Sequence, residues 1–284
     1  MKQESNMKYT DKKILHCKEG NIEYLQFKAL NEYPIKHAIT LRHGGASTSH
    51  LASLNYNIKF DEKENVIENL NRICQKLQIE KKNVYKAHQN HTDRILILKD
   101  NNKEMYQFEK FSVEDYDAYI TNQKGIALMV TTADCNPIII YDPVCQVIAN
   151  IHSGWKGTIQ KIYLKTCETM IKEFGSKASD LIVCIGPSIR KCCFSSEEES
   201  FKEKFTSNWD YEESSYIAYE KNHKRFHIDL IYLIQEDLKK IGVKKIVTAD
   251  ICTVCSHEDF FSYRIATKSK QKEYGLMSTI VTLN

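Results

Sequence analysis

Proline and glycine are both scarce, at 4 and 10 of 284 residues. That excludes a collagen-like or linker-rich architecture and leaves little room for a flexible hinge between domains. Internal repeats and low-complexity tracts are also missing. No apolar run approaches the roughly 20 residues that cross a bilayer, and the opening "MKQESNMKYTDKK" lacks the apolar core of a signal peptide. The sequence therefore predicts a cytoplasmic protein with no membrane partner. A dominant charge sign is absent too. The formal charge is only +3, and the densest basic cluster, "IATKSKQK", is offset by acidic stretches such as "SSEEES". Nucleic acid is not the expected partner.

What is present is ordinary for a soluble enzyme: 42% hydrophobic and 27% charged residues, in a chain long enough for one large core or two small ones. The 10 cysteines would imply a disulfide framework in a short secreted chain, but not here. Cys17, Cys74, Cys145, Cys167 and Cys184 read as small apolar fillers.

Apolar periodicity predicts three helices. "ENVIENLNRICQKLQI" aligns Val66, Ile67, Leu70, Ile73, Cys74 and Leu77 on one stripe. "TIQKIYLKTCETMIKEFG" does so with Ile159, Ile162, Tyr163, Thr166, Met170 and Phe174, and stops at Gly175. "HIDLIYLIQEDLKKIG" ends in basic residues and Gly242. Between them, "IALMVTT", "PIIIYD", "QVIANIH", "DLIVCIG", "KKIVTAD" and "MSTIVTL" read as strands covered on both faces, with a tight turn at Pro143. The fold class predicted is α/β (α+β): a single layered domain of mixed sheets flanked by helices. Residues 1–36 form an N-terminal strand region ("ILHCKEGNIEYLQFKAL") packed on it.

Three places break the apolar pattern: His88 and His91 in "AHQNHTDRI", Asp134-Cys135 at one strand end, and His152 in "ANIHSGWKG" at the next. The short turn between the last two strands brings Cys135 and His152 to one sheet edge. One thiolate with two imidazoles can hold a zinc with an open fourth position. A cysteine nucleophile activated by histidine, or a copper site, fits the same residues.

The motifs "LRHGGAST", "SLNYN", "QNHTD", "TTADCNPIIIYDP", "IHSGWKGT", "CIGPSI" and "CTVCSHEDFFSYR" resemble, in this order, those of the laccase-domain, YfiH-like family. The resemblance covers residues 37–284. It implies a layered fold remotely similar to the deamidase domain of a bacterial cytotoxic necrotising factor. It also implies His91, Cys135 and His152 as metal ligands, with zinc as the cofactor and Cu²⁺ as the alternative. The implied activity is phosphorolysis of adenosine, inosine and S-methyl-5′-thioadenosine, together with adenosine deamination, so the partners are a purine nucleoside and phosphate. Copper-dependent oxidation of phenols is the family's older attribution, and a non-enzymatic metal-binding or peptidoglycan-editing accessory protein is a third reading. A monomer or homodimer fits equally.

Further residues follow by chemistry. Arg42 and His43, beside Gly44 and Gly45, are candidates to bind the substrate's anion, as is Arg264. Asp134 and Arg264 are the candidate catalytic groups; Asp134 either orients a ligand or moves a proton, or else faces away from Cys135 and caps a turn. His88 reads as a supporting or surface residue. Lys156 stands where the family commonly has arginine, and Gly275-Leu276 replaces its Gly-Arg. Cys252-x-x-Cys255 with His257 has no second Cys-x-x-Cys to complete a structural zinc, and Cys192-Cys193 has no ligand context. No metal is expected at either.

Overall fold

The computed structural model describes residues 7–284. The first six residues of the expected N-terminal strand region, and with them part of the opening segment, lie outside the described residues.

Two six-stranded sheets pack face to face between helices. In spatial order the first comprises Ile14–Glu19, Ile22–Phe27, Ile35–Thr40, Met277–Leu283, Ala127–Thr132 and Val84–Tyr85. The second comprises Lys245–Thr248, Ile182–Ile185, Asn136–Asp142, Val147–Ser153, Ala118–Thr121 and Ile95–Ile97. Antiparallel pairs dominate. Parallel pairs occur at one edge of the first sheet and at both edges of the second, which makes both sheets mixed as expected.

The two-residue period of a strand explains the layering. Leu128, Val130 and Val281 of one sheet meet Tyr119, Ile139, Tyr141 and Ile148 of the other in the central core. Their alternate neighbours Ala127, Met129 and Ile280 face outward, under Val66, Leu70 and Ile73 of the helix Lys63–Leu77. On the far side Ile138, Ile140, Ala149 and Ile151 pack under the helices Ile162–Phe174 and Leu230–Lys240. Each aliphatic side chain so buried contributes about 1.5–3 kcal/mol. The all-apolar strand sequences are therefore strands buried on both faces.

Several elements differ from expectation. The strands Ile35–Thr40 and Ala118–Thr121 and the helices Glu199–Thr206 and Tyr263–Lys268 were not predicted, and two further departures bear on the site. The second helix is not continuous: Trp155–Ile159 and Ile162–Phe174 are separated by Lys161, whose φ of 56° is left-handed. The break aims the short helix beside the end of the strand Val147–Ser153 while the longer one covers the sheet. A small third sheet, Ser195–Ser196, Arg225–Ile228 and Ile217–Glu220, went unpredicted. Its strands are too short and too exposed to show a period, and it closes over its own core of Phe194, Phe205, Trp209 and Leu233.

His37 sits in the first sheet with no exposure, and its Nε2 accepts the Phe27 backbone N–H at 2.7 Å. Burial holds its pKa down to about 3. The unfolded chain takes up a proton at this residue near pH 6.5, while the folded chain does not. This contribution is therefore complete above pH 6.5 and is lost as pH falls towards 3, by up to about 5 kcal/mol. Urea unfolding midpoints should fall between pH 7 and 4. His37→Gln, which keeps an acceptor but no titration, should flatten that slope.

Candidate metal centre

The strands Asn136–Asp142 and Val147–Ser153 form a hairpin in which Pro137 faces His152 and Asn136 faces Ser153. Its four-residue turn is held by Asp142 Oδ1, which accepts the N–H groups of Val144 (2.8 Å) and Cys145 (3.0 Å). Cys135 immediately precedes the first strand, so it shares the hairpin's open end with His152. His91 arrives from a separate loop, in a left-handed conformation at φ 58°. Its Nε2 lies 3.7 Å from Cys135 Sγ, its ring stands 4.9 Å from that of His152, and the three ligand atoms lie within 4.8 Å of one another. A tetrahedral zinc with N/S bonds of about 2.0–2.3 Å sets such atoms about 3.3–3.6 Å apart, so the trio fits one ion closely. Gly154 is what permits the approach. A Cβ there would stand 2.7 Å from the His91 ring and 2.8 Å from Cys135 Sγ.

The residue that assembles the trio is Asp117, fully buried at the start of the strand Ala118–Thr121. Its Oδ1 accepts from His152 Nδ1 (2.7 Å) and the His91 N–H (3.1 Å). Its Oδ2 accepts from the Thr92 N–H (2.6 Å), the Thr92 hydroxyl (2.8 Å) and the Asn90 N–H (3.3 Å). One carboxylate therefore orients His152, leaving Nε2 as its ligand atom, and holds the His91 loop. Gln89 anchors the same loop by pairing with the backbone N–H and C=O of Thr131, both at 2.8 Å.

Burial alone would raise the Cys135 thiol, but the imidazoles of His152 and His91 outweigh it and bring it down to about 6. For His152, burial is outweighed by Cys135 and Asp117, which push it up to about 9. Burial opposes ionisation of Asp117 too, yet His152 and the Thr92 donors hold it down to about 2. The imidazoles thus favour the thiolate form of Cys135, the form that ligates a metal.

The trio opens on a cavity of about 930 Å³. Asp134 and Arg264 border it; Arg42 and His43 do not. The Arg42 guanidinium lies 4.4 Å over the Phe261 ring and donates to the carbonyl oxygens of Ala52, His50 and His257. His43 pairs with Asp259 at 2.8 Å. The expected anion pair is therefore built into the fold away from the trio. Asp134, at φ 75°, turns its carboxylate away from Cys135. Oδ1 accepts from the Thr253 hydroxyl (2.6 Å), and Oδ2 from Ser262 (2.9 Å) and the Arg264 N–H (2.7 Å). Burial raises its pKa against these bonds. Its carboxylate oxygens are thus taken up by Thr253, Ser262 and Arg264. Arg264 Nη1 donates to the carbonyls of Cys193 and Ser195, and His88 bonds Asp115 at the rim.

Sequence reading missed Asp117, Lys86, Tyr263 and Tyr274. Only Asp117 left a trace, as an acid directly before an apolar strand. Asp117→Asn should lower metal affinity about 10- to 100-fold with far-UV circular dichroism unchanged, as read by competition with a chelator of known affinity.

A family model described as "Multi-copper polyphenol oxidoreductase laccase" matches residues 36–284. A purine nucleoside phosphorylase of Bacteroides thetaiotaomicron is 34% identical over 259 residues, covering 89% of this chain and 95% of that one. Adenosine deaminase RL5, from an unknown prokaryotic organism, is 28% identical over 62% of this chain and 67% of its own. The crystal structure of the hypothetical protein YfiH from Bacillus licheniformis superposes with a TM-score of 0.84 at 24% identity, covering 95% of this chain and 99% of that one. With its layered sheets, its motif order and this match across nearly its whole length, the chain belongs to the laccase-domain, YfiH-like family.

Proposed function

We propose that the protein is a zinc-dependent enzyme of purine nucleosides, cleaving the base from ribose with phosphate and also deaminating adenosine. The observation that carries this is the three-residue set His91, Cys135 and His152 opening on a cavity with aromatic and basic lining, roomy enough for a nucleoside together with phosphate. The names of the phosphorylase and deaminase relatives support the substrate class. Zinc held by the trio supplies a Lewis acid and a water of near-neutral pKa.

The remaining work falls to the chain. Tyr263 and Tyr274, packed edge to face with ring centroids 5.1 Å apart on the cavity wall, are the aromatic surface available to a flat base. Lys86, Lys156 and Arg264 bring positive charge to the wall, where phosphate needs it. Leu276, in place of the family's arginine, makes its part of that wall apolar. In phosphorolysis a phosphate oxygen bonds to C1′ as the C1′–N bond breaks. The electron pair leaves with the base, which takes up a proton. Burial brings Lys86 down to about 8, against the pull of Asp117. Lys86 lines the cavity, its ammonium donating to the Ala87 carbonyl at 3.1 Å, and it is our candidate to give that proton.

Copper also suits this donor set. A multi-copper oxidase needs several copper centres, however. Among the described residues the other group able to hold a metal is made of cysteine alone. Purified protein is expected to carry zinc and to convert adenosine or inosine to free base only with phosphate. Stoichiometric copper with phenol oxidation, or no turnover when zinc-loaded, would overturn the reading. Cys135→Ala should lose metal and turnover together; a variant that keeps zinc and loses only turnover makes Cys135 a nucleophile. Arg264→Ala should raise KM for phosphate about 10- to 100-fold, the worth of one charged hydrogen bond.

A further inference from the structure

Four cysteines away from the trio meet in space. Cys192 and Cys193 follow the strand Ile182–Ile185 by one loop, and Cys252 and Cys255 come from a turn about 60 residues later. Their four sulfur atoms all lie within 4.8 Å of one another. Cys193 and Cys255 are 3.5 Å apart, and Cys192 and Cys255 3.7 Å. A disulfide requires about 2.05 Å, so these are free thiols in contact. A tetrahedral ion with Zn–S bonds of about 2.3 Å sets its sulfurs about 3.8 Å apart. An iron–sulfur cluster would hold its cysteines apart by the width of the cluster itself.

We infer that Cys192, Cys193, Cys252 and Cys255 form a second metal site, taking one tetrahedral zinc as a structural cross-link between two loops. This corrects the expectation that neither cysteine pair has a partner: Cys192-Cys193 is the missing half of the Cys252-x-x-Cys255 turn. The spacing concealed it because the halves are joined by the fold. A parallel bridge between Ser188 and Cys252, with the Thr253 N–H on the Ser188 carbonyl at 3.1 Å, brings the loops together.

The four sulfurs sit at the meeting of the two loops, Cys252 buried and Cys255 exposed, so the cluster is reachable from solvent on one side and backed by the fold on the other. With four protein ligands the site is closed, which marks it as structural and not catalytic. On binding, each thiol that joins the ion gives its proton to solvent, and no oxidation is involved.

The cross-link lies against the first site's supports. Ile189, on one tied loop, donates its N–H to the Asp134 carbonyl at 2.9 Å, and Thr253, on the other, donates to the Asp134 carboxylate. The Cys193 carbonyl accepts from Arg264 at 3.0 Å. The ion therefore fixes the two loops that position Asp134, the neighbour of ligand Cys135, and Arg264 on the cavity wall.

Elemental analysis with native mass spectrometry of the purified full chain tests this. Two metal ions per chain are expected in the wild type and one in Cys193→Ser/Cys255→Ser. His91→Ala/Cys135→Ala should retain one ion, with a zinc-edge absorption spectrum showing only sulfur, near 2.3 Å. That second variant decides the matter if the first fails to fold. One ion per chain in the wild type with all four thiols open to a thiol reagent overturns the proposal. So does a disulfide joining the loops, or a retained ion with nitrogen in its shell. Because the count at the cysteine site is independent of nucleoside turnover, its failure leaves the proposed function standing.

Discussion

The buried carboxylate of Asp117 is the constraint on which the His91, Cys135 and His152 trio depends. Unpaired in the interior, it would cost several kcal/mol. Here it accepts from three backbone N–H groups, a hydroxyl and an imidazole, and so stays ionised. The same bonds give the loop around His91 the acceptors that its N–H groups need in the interior. Loop and carboxylate satisfy each other, and the histidine ligands from the loop and from the strand are placed by that one exchange. Lys86, above the same acid, has its charge favoured by it against burial.

Much of the architecture was legible in the sequence because it follows from local periodicity. The apolar runs became strands covered on both faces, and the stripe Val66–Leu77 lies on the first sheet as its spacing predicts. Cys135 and His152 were legible as a pair because a four-residue turn leaves two antiparallel strands no other way to end. The unread parts are those that depend on non-local contact. Nothing near Asp117 in the chain announces that it will meet residues 90–92. Arg42-His43-Gly44-Gly45 has the composition of an anion loop, yet carbonyls from residues 50–52 and 257 reach the guanidinium first. Asp134 looked reactive because it adjoins Cys135. A left-handed backbone sends its side chain the other way.

Lys156 and Leu276, the two positions at which the sequence departs from the motifs it resembles, both line the cavity. Lys156 offers a point charge without the planar fork of arginine, and Leu276 offers none. Positive charge is left to Arg264, tethered through one nitrogen, and to lysines that act as point charges. An anion bound on such a wall would be held more by field than by directed hydrogen bonds.

The hairpin that carries Cys135 and His152 also bears on how the site forms. Loop-closure entropy grows with the length of chain between two groups, and contacts within a hairpin need little. Cys135 and His152 are brought together by the hairpin itself, whereas His91 reaches them only through the docking of its loop on Asp117, across 26 residues. Two members of the trio are thus placed by strand pairing and the third by a single buried carboxylate, so loosening that one contact would take His91 out of reach while leaving the other pair in place.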